Sequence, residues 1–166
     1  MPARDYAPLL DALSRPDGSS DSMQRCVDAL WSAFAGPGLS WIGFYLWNAG
    51  APDELTLGPR RDKPACSPIG LHGACGRCWS SRRPLVVTDV AHLGAGYIAC
   101  DPRDRSEVVV PLFNPDGSCW GVLDADSHHP SAFDEFDAAS LMRLMRHAGL
   151  SAHGPEAEDP ALVEIV

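Results

Sequence analysis

Apolar positions near both ends of the chain recur with the period of an α-helix. The clearest pattern covers residues 23–34, where apolar side chains fall at i, i+3, i+4, i+7, i+8 and i+11. Asp5–Leu13 predicts a shorter helix before it, and a last helix is predicted to begin at Ser131 and Asp134. The predicted buried stripe of the helix at 23–34 is Met23, Cys26, Val27, Leu30, Trp31 and Phe34. That of the last helix is Phe133, Phe136, Leu141, Leu144, Met145 and Ala148.

Between these helices the pattern becomes that of strands. Leu39–Trp47 is apolar on both faces, so it is either a central strand or one that lines a pocket. Trp41 and Tyr45 share one face, and Gly43 between them leaves room for a small group, although aromatic side chains that simply fill the core explain the pattern equally well. The other assignments are strands at Leu55–Gly58 and Leu85–Val90, a loop at Pro59–Gly73 and a short helix at Gly73–Ser81.

A β-hairpin is predicted in the second half of the chain. The sequence Asn-Pro-Asp-Gly at 114–117 is typical of a tight turn, because proline presets φ, Asn and Asp bond to their own backbone, and glycine accepts φ > 0. This turn joins two apolar segments, Glu107–Phe113 and Ser118–Asp126. The two segments are therefore interpreted as paired antiparallel strands.

The open end of this hairpin collects ionisable side chains. Asp124 and Asp126 point to the same face because side chains alternate along a strand, and Glu107 opens the partner strand. Cys100 lies in the polar loop just before the hairpin, followed by Asp101–Ser106. A thiol beside three carboxylates indicates chemistry, whereas carboxylates that are merely solvated at strand ends are the plain alternative.

Together these elements predict an α+β domain with an antiparallel sheet and helices at both ends. The length of 166 residues suits one domain at 1–150, with N-terminal helices at 5–34 and a core at 39–150. Residues 151–166 form an acidic tail that we expect to be mobile, although its apolar end, Leu162–Val166, could contribute to a homodimer.

Composition narrows the possible partners. Hydrophobic residues make up 45% and charged residues 21% of the chain, as in a globular protein. The net charge of −9 argues against a nucleic-acid partner, and no apolar run approaches the roughly 20 residues of a membrane span. The first residues lack the basic and apolar regions of a signal peptide, so a cytoplasmic location is expected.

The cysteines cluster in a basic part of the chain. Residues 60–105 contain eight basic and four acidic residues, a net charge of +4, and four of the six cysteines. A positive environment favours thiolates, although any one arginine here is adequately explained as solvated surface. In a cytoplasmic chain such cysteines suggest redox or metal chemistry rather than a disulfide framework.

A thioredoxin-like redox site and a structural zinc site each require a particular spacing of cysteines or histidines along the chain. Cys75 and Cys78 form a C-x-x-C like that of thioredoxins, but a glycine-rich loop rather than a strand precedes them. A structural zinc site needs four ligands at paired spacings. The candidate ligands Cys66, His72, His92, His128 and His129 show no such spacing. Neither chemistry has the context that it requires.

The order of short motifs resembles one family. WIGFYL, LGP followed by KPAC, GACG, GYIACD, SEVVVPL and GVLDADS occur in the order seen in the GAF-domain free methionine-(R)-sulfoxide reductases, over residues 40–137. The resemblance implies a GAF fold, with a central antiparallel sheet, helices on one side and a loop-covered pocket on the other. It also implies thiol-dependent reduction of free methionine-(R)-sulfoxide, with no bound cofactor and with thioredoxin (and NADPH indirectly) as the electron source.

The resemblance further implies roles for particular residues. It assigns Cys100 as the catalytic cysteine, Cys66 as the resolving cysteine, Cys75 as a third cysteine, Glu107, Asp124 and Asp126 as acids of the substrate pocket, and Trp41 and Tyr45 as its aromatic wall. Relatives of this family also suggest a dimer.

Three features depart from the family pattern. The loop between Cys66 and Cys75 is one residue shorter than expected, Tyr97 replaces an expected histidine, and Cys78 is an additional thiol. The alternative function is a non-catalytic GAF domain that binds a small ligand and senses redox state through its cysteines.

Overall fold

A seven-stranded sheet organises the part of the chain that the computed structural model describes, namely residues 4–13, 20–62, 65–94, 97, 100–152 and 162–166. The strands are β1 (Trp41–Asn48), β2 (Ala51–Arg61), β3 (Ile69–Gly70), β4 (Leu85–Val87), β5 (Ser106–Phe113), β6 (Cys119–Ser127) and β7 (Glu164–Ile165), in the spatial order β3-β2-β1-β6-β5-β4-β7. The helices are α1 (Ala7–Ala12), α2 (Ser20–Phe34), α3 (Ala74–Ser81) and α4 (Glu135–His147), with a 3-10 helix at Val90–Leu93.

The predicted hairpin forms the middle of this sheet. Strands β5 and β6 pair antiparallel, with Glu107 opposite Asp126 and Val109 opposite Asp124. The turn between them closes with Asn114 N donating to Ser118 O at 2.8 Å, while β6 pairs on its other side with β1. The carboxylates therefore lie at the same end of two central strands.

Helices α1, α2 and α4 pack on one face of the sheet. Four residues of the predicted α2 stripe are buried, and of these Cys26 and Leu30 have no exposed surface. The other two, Met23 and Trp31, are partly buried and pack against the same core. The prediction that Phe136 is buried is wrong, because its side chain is 67% exposed. Phe136 precedes Met145, which is fully buried, by nine residues, and that spacing places the two on opposite sides of a 3.6-residue helix.

The last residues of the chain complete one edge of the sheet. Strand β7 pairs with β4 in parallel, whereas the other strand pairs among the described residues are antiparallel, so the sheet is mixed. Glu164 N donates to Pro84 O and Val166 N to Val86 O, each at 2.9 Å. The predicted mobility of the tail is therefore wrong for residues 162–166, which pair within the chain, and residues 153–161 lie outside the described part.

The loops also differ from the sequence-based assignments. Strand β2 extends to Arg61, and β3 lies inside the predicted loop Pro59–Gly73. The strand predicted at Leu85–Val90 ends at Val87, because the Asp89 side chain accepts from Ala91 N at 3.1 Å and starts a 3-10 helix. Within the described residues, no helix combines the length and apolar character that a membrane crossing requires.

Candidate active site

The sheet face opposite α2 and α4 carries a cavity of about 310 Å³. Its floor is the end of strands β1, β5 and β6, and its cover is the loop that enters α3 together with the segment that precedes β5. A volume of this size suits a small molecule. All eight site residues named from the sequence line it: Cys66, Cys75, Cys100, Glu107, Asp124, Asp126, Trp41 and Tyr45.

Two carboxylates in the floor are deeply buried. Glu107 is 4% and Asp124 is 6% exposed. Among the described residues, Glu107 Oε1 and Asp124 Oδ1 have no hydrogen-bond partner. A buried acceptor without a partner costs about 1–3 kcal/mol, more when charged. The cavity therefore contains two oxygens that a ligand with N–H or O–H groups would stabilise.

Burial and repulsion from neighbouring carboxylates raise the pKa of both carboxyl groups, so they stay protonated at higher pH than usual. Burial raises the pKa of Glu107 well above its ordinary value, and the nearby Asp124 raises it further. Burial likewise raises the pKa of Asp124 to about 7. Near neutral pH the floor can thus hold a protonated carboxyl group, which is the form that donates a proton.

Two further polar residues shape this floor, and the sequence did not single them out as binding residues. The Tyr97 hydroxyl, where a histidine was expected, hydrogen-bonds Glu107 and lowers the pKa of that carboxyl. Asp104, only 5% exposed, raises the pKa of both Glu107 and Asp124 by repulsion. Both residues lie in the irregular segment before β5, where side-chain periodicity gives no indication of direction.

A disulfide between Cys66 and Cys100 crosses the mouth of the cavity, with their Cα atoms 5.6 Å apart. Both residues are exposed, so the bond is accessible to another protein. The Tyr45 hydroxyl donates to Cys66 O at 2.9 Å and holds this loop against the aromatic wall. The pairing joins residues 34 positions apart in the chain.

Cys75 lies deeper, at the start of α3. Its thiol donates to Asp124 Oδ2 at 3.2 Å, and burial together with Asp124 raises the pKa of that thiol well above its ordinary value. The helix is seated against the preceding loop, because a Cβ at Gly76 would come within 2.2 Å of the Leu71 Cα. Gly76, the last residue of the GACG motif, is therefore needed for this close approach.

The aromatic wall is formed by Trp41 and Tyr45, whose ring centroids lie 6.0 Å apart. The room that Gly43 was predicted to leave for a small group is taken by the Trp41 ring, since a Cβ at position 43 would lie 2.5 Å from that indole. The glycine allows the tryptophan to fold over its own strand, and so it shapes the wall.

Within the described part of the chain, two groups of side chains bring enough ligand atoms together to hold a cation: Glu107, Asp124 and Asp126 form one, and Asp101, Asp104 and His128 form the other. The first group is the cavity floor itself. An ammonium group and a metal ion are both compatible with such oxygens. The predicted zinc alternative loses a ligand, because Cys66 is held in the disulfide.

Comparison with known proteins decides the family. A GAF-domain family profile matches residues 19–151. A free methionine-R-sulfoxide reductase from Saccharomyces cerevisiae is 36% identical over 128 residues, which are 75% of this chain and 71% of the relative. The chain belongs to the GAF-domain free methionine-R-sulfoxide reductases. The resemblance found in the sequence motifs is thereby confirmed.

Solved structures of these reductases have the same fold. The enzyme from Neisseria meningitidis, in complex with its substrate, is 35% identical with a TM-score of 0.76, over 96% of this chain and 95% of that one. The enzyme from Staphylococcus aureus, also in complex with substrate, is 30% identical with a TM-score of 0.78, over 90% and 97%. Like these reductases, the chain has the predicted α+β GAF architecture, here with one parallel strand pair.

Proposed function

We propose that this protein reduces free L-methionine-(R)-sulfoxide through a sulfenic acid on Cys100 and an intramolecular disulfide with Cys66. One observation carries the proposal: the Cys66–Cys100 disulfide lies at the mouth of a cavity whose floor is a cluster of buried carboxylates. The reacting sulfur and the proton donors are thus available to one small ligand.

In the first step the Cys100 thiolate attacks the sulfoxide sulfur. The attack forms a sulfur–sulfur bond while a protonated carboxyl group of Glu107 or Asp124 donates a proton to the sulfoxide oxygen. The resulting hydroxyl then moves from the methionine sulfur to the Cys100 sulfur as the sulfur–sulfur bond breaks and its electron pair returns to methionine. Methionine leaves with its sulfur reduced by two electrons, and the Cys100 sulfur is oxidised by two electrons to a sulfenic acid. The raised pKa of both carboxyl groups supports this proton-donor role near neutral pH.

In the second step the Cys66 thiol attacks the sulfenic sulfur. A disulfide forms and water leaves, carrying the sulfenic hydroxyl and the thiol proton. The Cα separation of 5.6 Å lies in the ordinary range for a disulfide. Because the bond is exposed, a thioredoxin-like dithiol can reach it and return both thiols, which suits a reducing compartment such as the cytoplasm.

Cys100 is better suited than Cys75 to the role of nucleophile. The Cys75 thiol is buried against Asp124, and both burial and the neighbouring carboxylates raise its pKa, so it is poorly ionised. Cys100 is exposed at the cavity mouth, where its thiolate would be solvated. Ionisation is what makes a cysteine reactive toward sulfur.

The floor also supports recognition of the free amino acid. The partnerless oxygens of Glu107 and Asp124 are natural acceptors for an α-ammonium group and for a protonated sulfoxide. Trp41 and Tyr45 offer an apolar surface for the substrate's methyl group and side chain. A peptide-bound methionine sulfoxide has a neutral amide in place of the ammonium, so we expect it to bind poorly.

The proposal is tested by NADPH oxidation coupled through thioredoxin and its reductase, with free methionine sulfoxide as the only acceptor. Cys100→Ser should abolish turnover, because a hydroxyl of high pKa cannot replace the thiolate, while Cys119→Ser should retain it. Absence of turnover in the unaltered protein would favour the alternative, a GAF domain that only senses redox state. More than a few per cent of activity in Cys100→Ser would refute the role of that residue.

Cys66→Ser separates the two steps. Attack by Cys100 should still release methionine in a single turnover, whereas recycling with thioredoxin should fail unless Cys75 or Cys78 substitutes for the missing thiol. Loss of the single-turnover release in this variant would show that Cys66 does more than resolve the sulfenic acid.

Substrate selectivity is tested with N-acetyl-methionine sulfoxide, which removes the positive charge without adding a peptide. Loss of a charged partner for a buried carboxylate predicts a kcat/KM at least about a hundredfold lower than that of the free amino acid. Equal kcat/KM for the two compounds would show that the carboxylates do not bind the substrate's ammonium group.

A further inference from the structure

Helix α3 carries two thiols that face the same place on the sheet. Cys75 Sγ donates to Asp124 Oδ2 at 3.2 Å, and Cys78 Sγ donates to Val109 O at 3.5 Å. Asp124 and Val109 are direct cross-strand partners in the β5–β6 ladder. The two sulfur atoms therefore lie over one cross-strand pair, on the cavity side of the sheet.

The helical spacing of Cys75 and Cys78 permits a bond between them. Residues three apart in an α-helix have Cα atoms about 5 Å apart, from a rise of 1.5 Å per residue and a radius of 2.3 Å. That separation lies inside the range of about 4.4–6.8 Å seen in disulfides. Both cysteines are reduced in this structure.

Of this pair, Cys75 is the thiol that lines the cavity. It lines the same cavity as Cys66 and Cys100, and it is close enough to Tyr45 to perturb that phenol, whose hydroxyl bonds the Cys66 carbonyl. Cys78 is fully buried. Exchange with the disulfide at the cavity can therefore begin at Cys75 but not at Cys78.

We propose that Cys75 and Cys78 form a second dithiol that receives the oxidising equivalents of the Cys66–Cys100 disulfide and frees Cys100 for another reaction. The proposal rests on the function proposed above, since that reaction supplies the first disulfide.

The exchange proceeds in two balanced steps. Cys75, its proton taken by Asp124, attacks the Cys66 sulfur, so the Cys66–Cys100 bond breaks, a Cys75–Cys66 bond forms and Cys100 leaves as a thiolate. Cys78 then attacks the Cys75 sulfur, and Cys66 leaves and takes up a proton. Two thiols are oxidised and two are regenerated, so no further oxidant or reductant is required.

Asp124 is placed to assist the first exchange. It already accepts the Cys75 hydrogen bond, and it can hold the proton that the thiol gives up when it attacks. The equilibrium of the exchange does not have to favour the second pair strongly. Whenever Cys100 is free, the next molecule of methionine sulfoxide consumes it and draws the exchange forward.

The proposal predicts how many molecules of methionine each chain releases. A fully reduced chain without external reductant should release two molecules of methionine rather than one, and only Cys26 and Cys119 should remain as free thiols of the six cysteines. Methionine is counted by chromatography after reaction with excess free methionine sulfoxide, and thiols are counted in denaturant.

The variant Cys78→Ser cannot form the second disulfide, although its serine can donate to the same Val109 carbonyl. Any second methionine that it releases should leave Cys100 as a sulfenic acid beside a Cys75–Cys66 bond, and dimedone, which labels sulfenic acids, should mark this variant but not the unaltered chain. The matched control Cys119→Ser alters another buried thiol and should still release two. Trypsin separates Cys75 from Cys78 by cutting after Arg77, and chymotrypsin separates Cys66 from Cys75 by cutting after Leu71. Mass spectrometry of the oxidised protein after both digestions should show the Cys75 and Cys78 peptides joined. Equal thermal denaturation midpoints of the two variants will show that the substitutions leave the fold intact.

The possible results distinguish failure of the second dithiol from failure of the proposed reductase. One methionine per unaltered chain, dimedone labelling of the unaltered chain equal to that of Cys78→Ser, or a link from Cys78 to Cys119 instead of Cys75 would overturn the second dithiol while leaving the proposed reductase intact. No methionine at all would refute the reductase and, with it, this inference. Diamide, a general thiol oxidant, tests the pairing without any substrate: the Cys75–Cys78 bond should form, and its absence would overturn the second dithiol.

Discussion

Replacing Asp124 with asparagine should stabilise the fold in alkaline solution while it weakens catalysis. Burial raises the pKa of Asp124 from 3.8 to about 7. A group with a raised pKa in the folded state favours folding most below its unfolded pKa, and that contribution is lost as the pH rises toward the folded pKa. The unaltered protein should therefore lose stability between about pH 4 and pH 7 because this carboxyl group must ionise while buried.

The size of the effect follows from that difference in pKa. At about 1.4 kcal/mol per pH unit, the ionisation costs roughly 4 kcal/mol at pH 8 and under 2 kcal/mol at pH 5. Asparagine never ionises, and its carbonyl can still accept the Cys75 hydrogen bond. Its amide group costs about 1–3 kcal/mol if it finds no partner, but that cost does not depend on pH. The variant should thus gain roughly 2–3 kcal/mol relative to the unaltered protein between pH 5 and pH 8.

Urea denaturation at pH 5, 6, 7 and 8 measures this gain, with the Cys66–Cys100 disulfide kept intact in both proteins. Asp116→Asn is the control. Its carboxylate is fully exposed, and hydrogen bonds from Ser118 lower its pKa, so its removal should destabilise the turn equally at each of these pH values. A free-energy difference for Asp124→Asn that does not change from pH 5 to pH 8 would refute the reasoning about burial.

Three other changes test separate parts of the structure. Gly76→Ala should destabilise the protein strongly, by about 3 kcal/mol or more, because the added Cβ would meet the Leu71 backbone; thermal denaturation measures this. Tyr97→Phe removes a hydrogen bond that lowers the pKa of Glu107, so a pH titration of Glu107 followed by NMR should move upward, and an unchanged titration would contradict that contact. Deleting residues 162–166 removes the backbone hydrogen bonds of β7 to β4 and should cost about 3 kcal/mol in urea denaturation, whereas a mobile tail would cost nothing.

Local patterns in the sequence were sufficient for several parts of this protein. The 3.6-residue stripe of α2, the turn at 114–117 and the alternation that sends Asp124 and Asp126 to one face each depend on residues close together in the chain. The motif order was specific enough to identify the family and to name eight residues that converge on one cavity. Phe136 shows the limit of such patterns, because an apolar residue at the start of a helix can point to solvent.

Only the tertiary structure decided how distant segments meet. The insertion of β7 beside β4 and the approach of Asp104 to the cavity floor join loops or chain ends whose direction no periodicity specifies. The pairing of Cys66 with Cys100 was implied by the family resemblance, whereas its place at the mouth of the cavity is seen only in the structure. The chemical character of the carboxylates depends on the same contacts. A glutamate or aspartate in a sequence has an ordinary pKa, and it becomes a proton donor near neutral pH only when folding removes its water and places other carboxylates beside it.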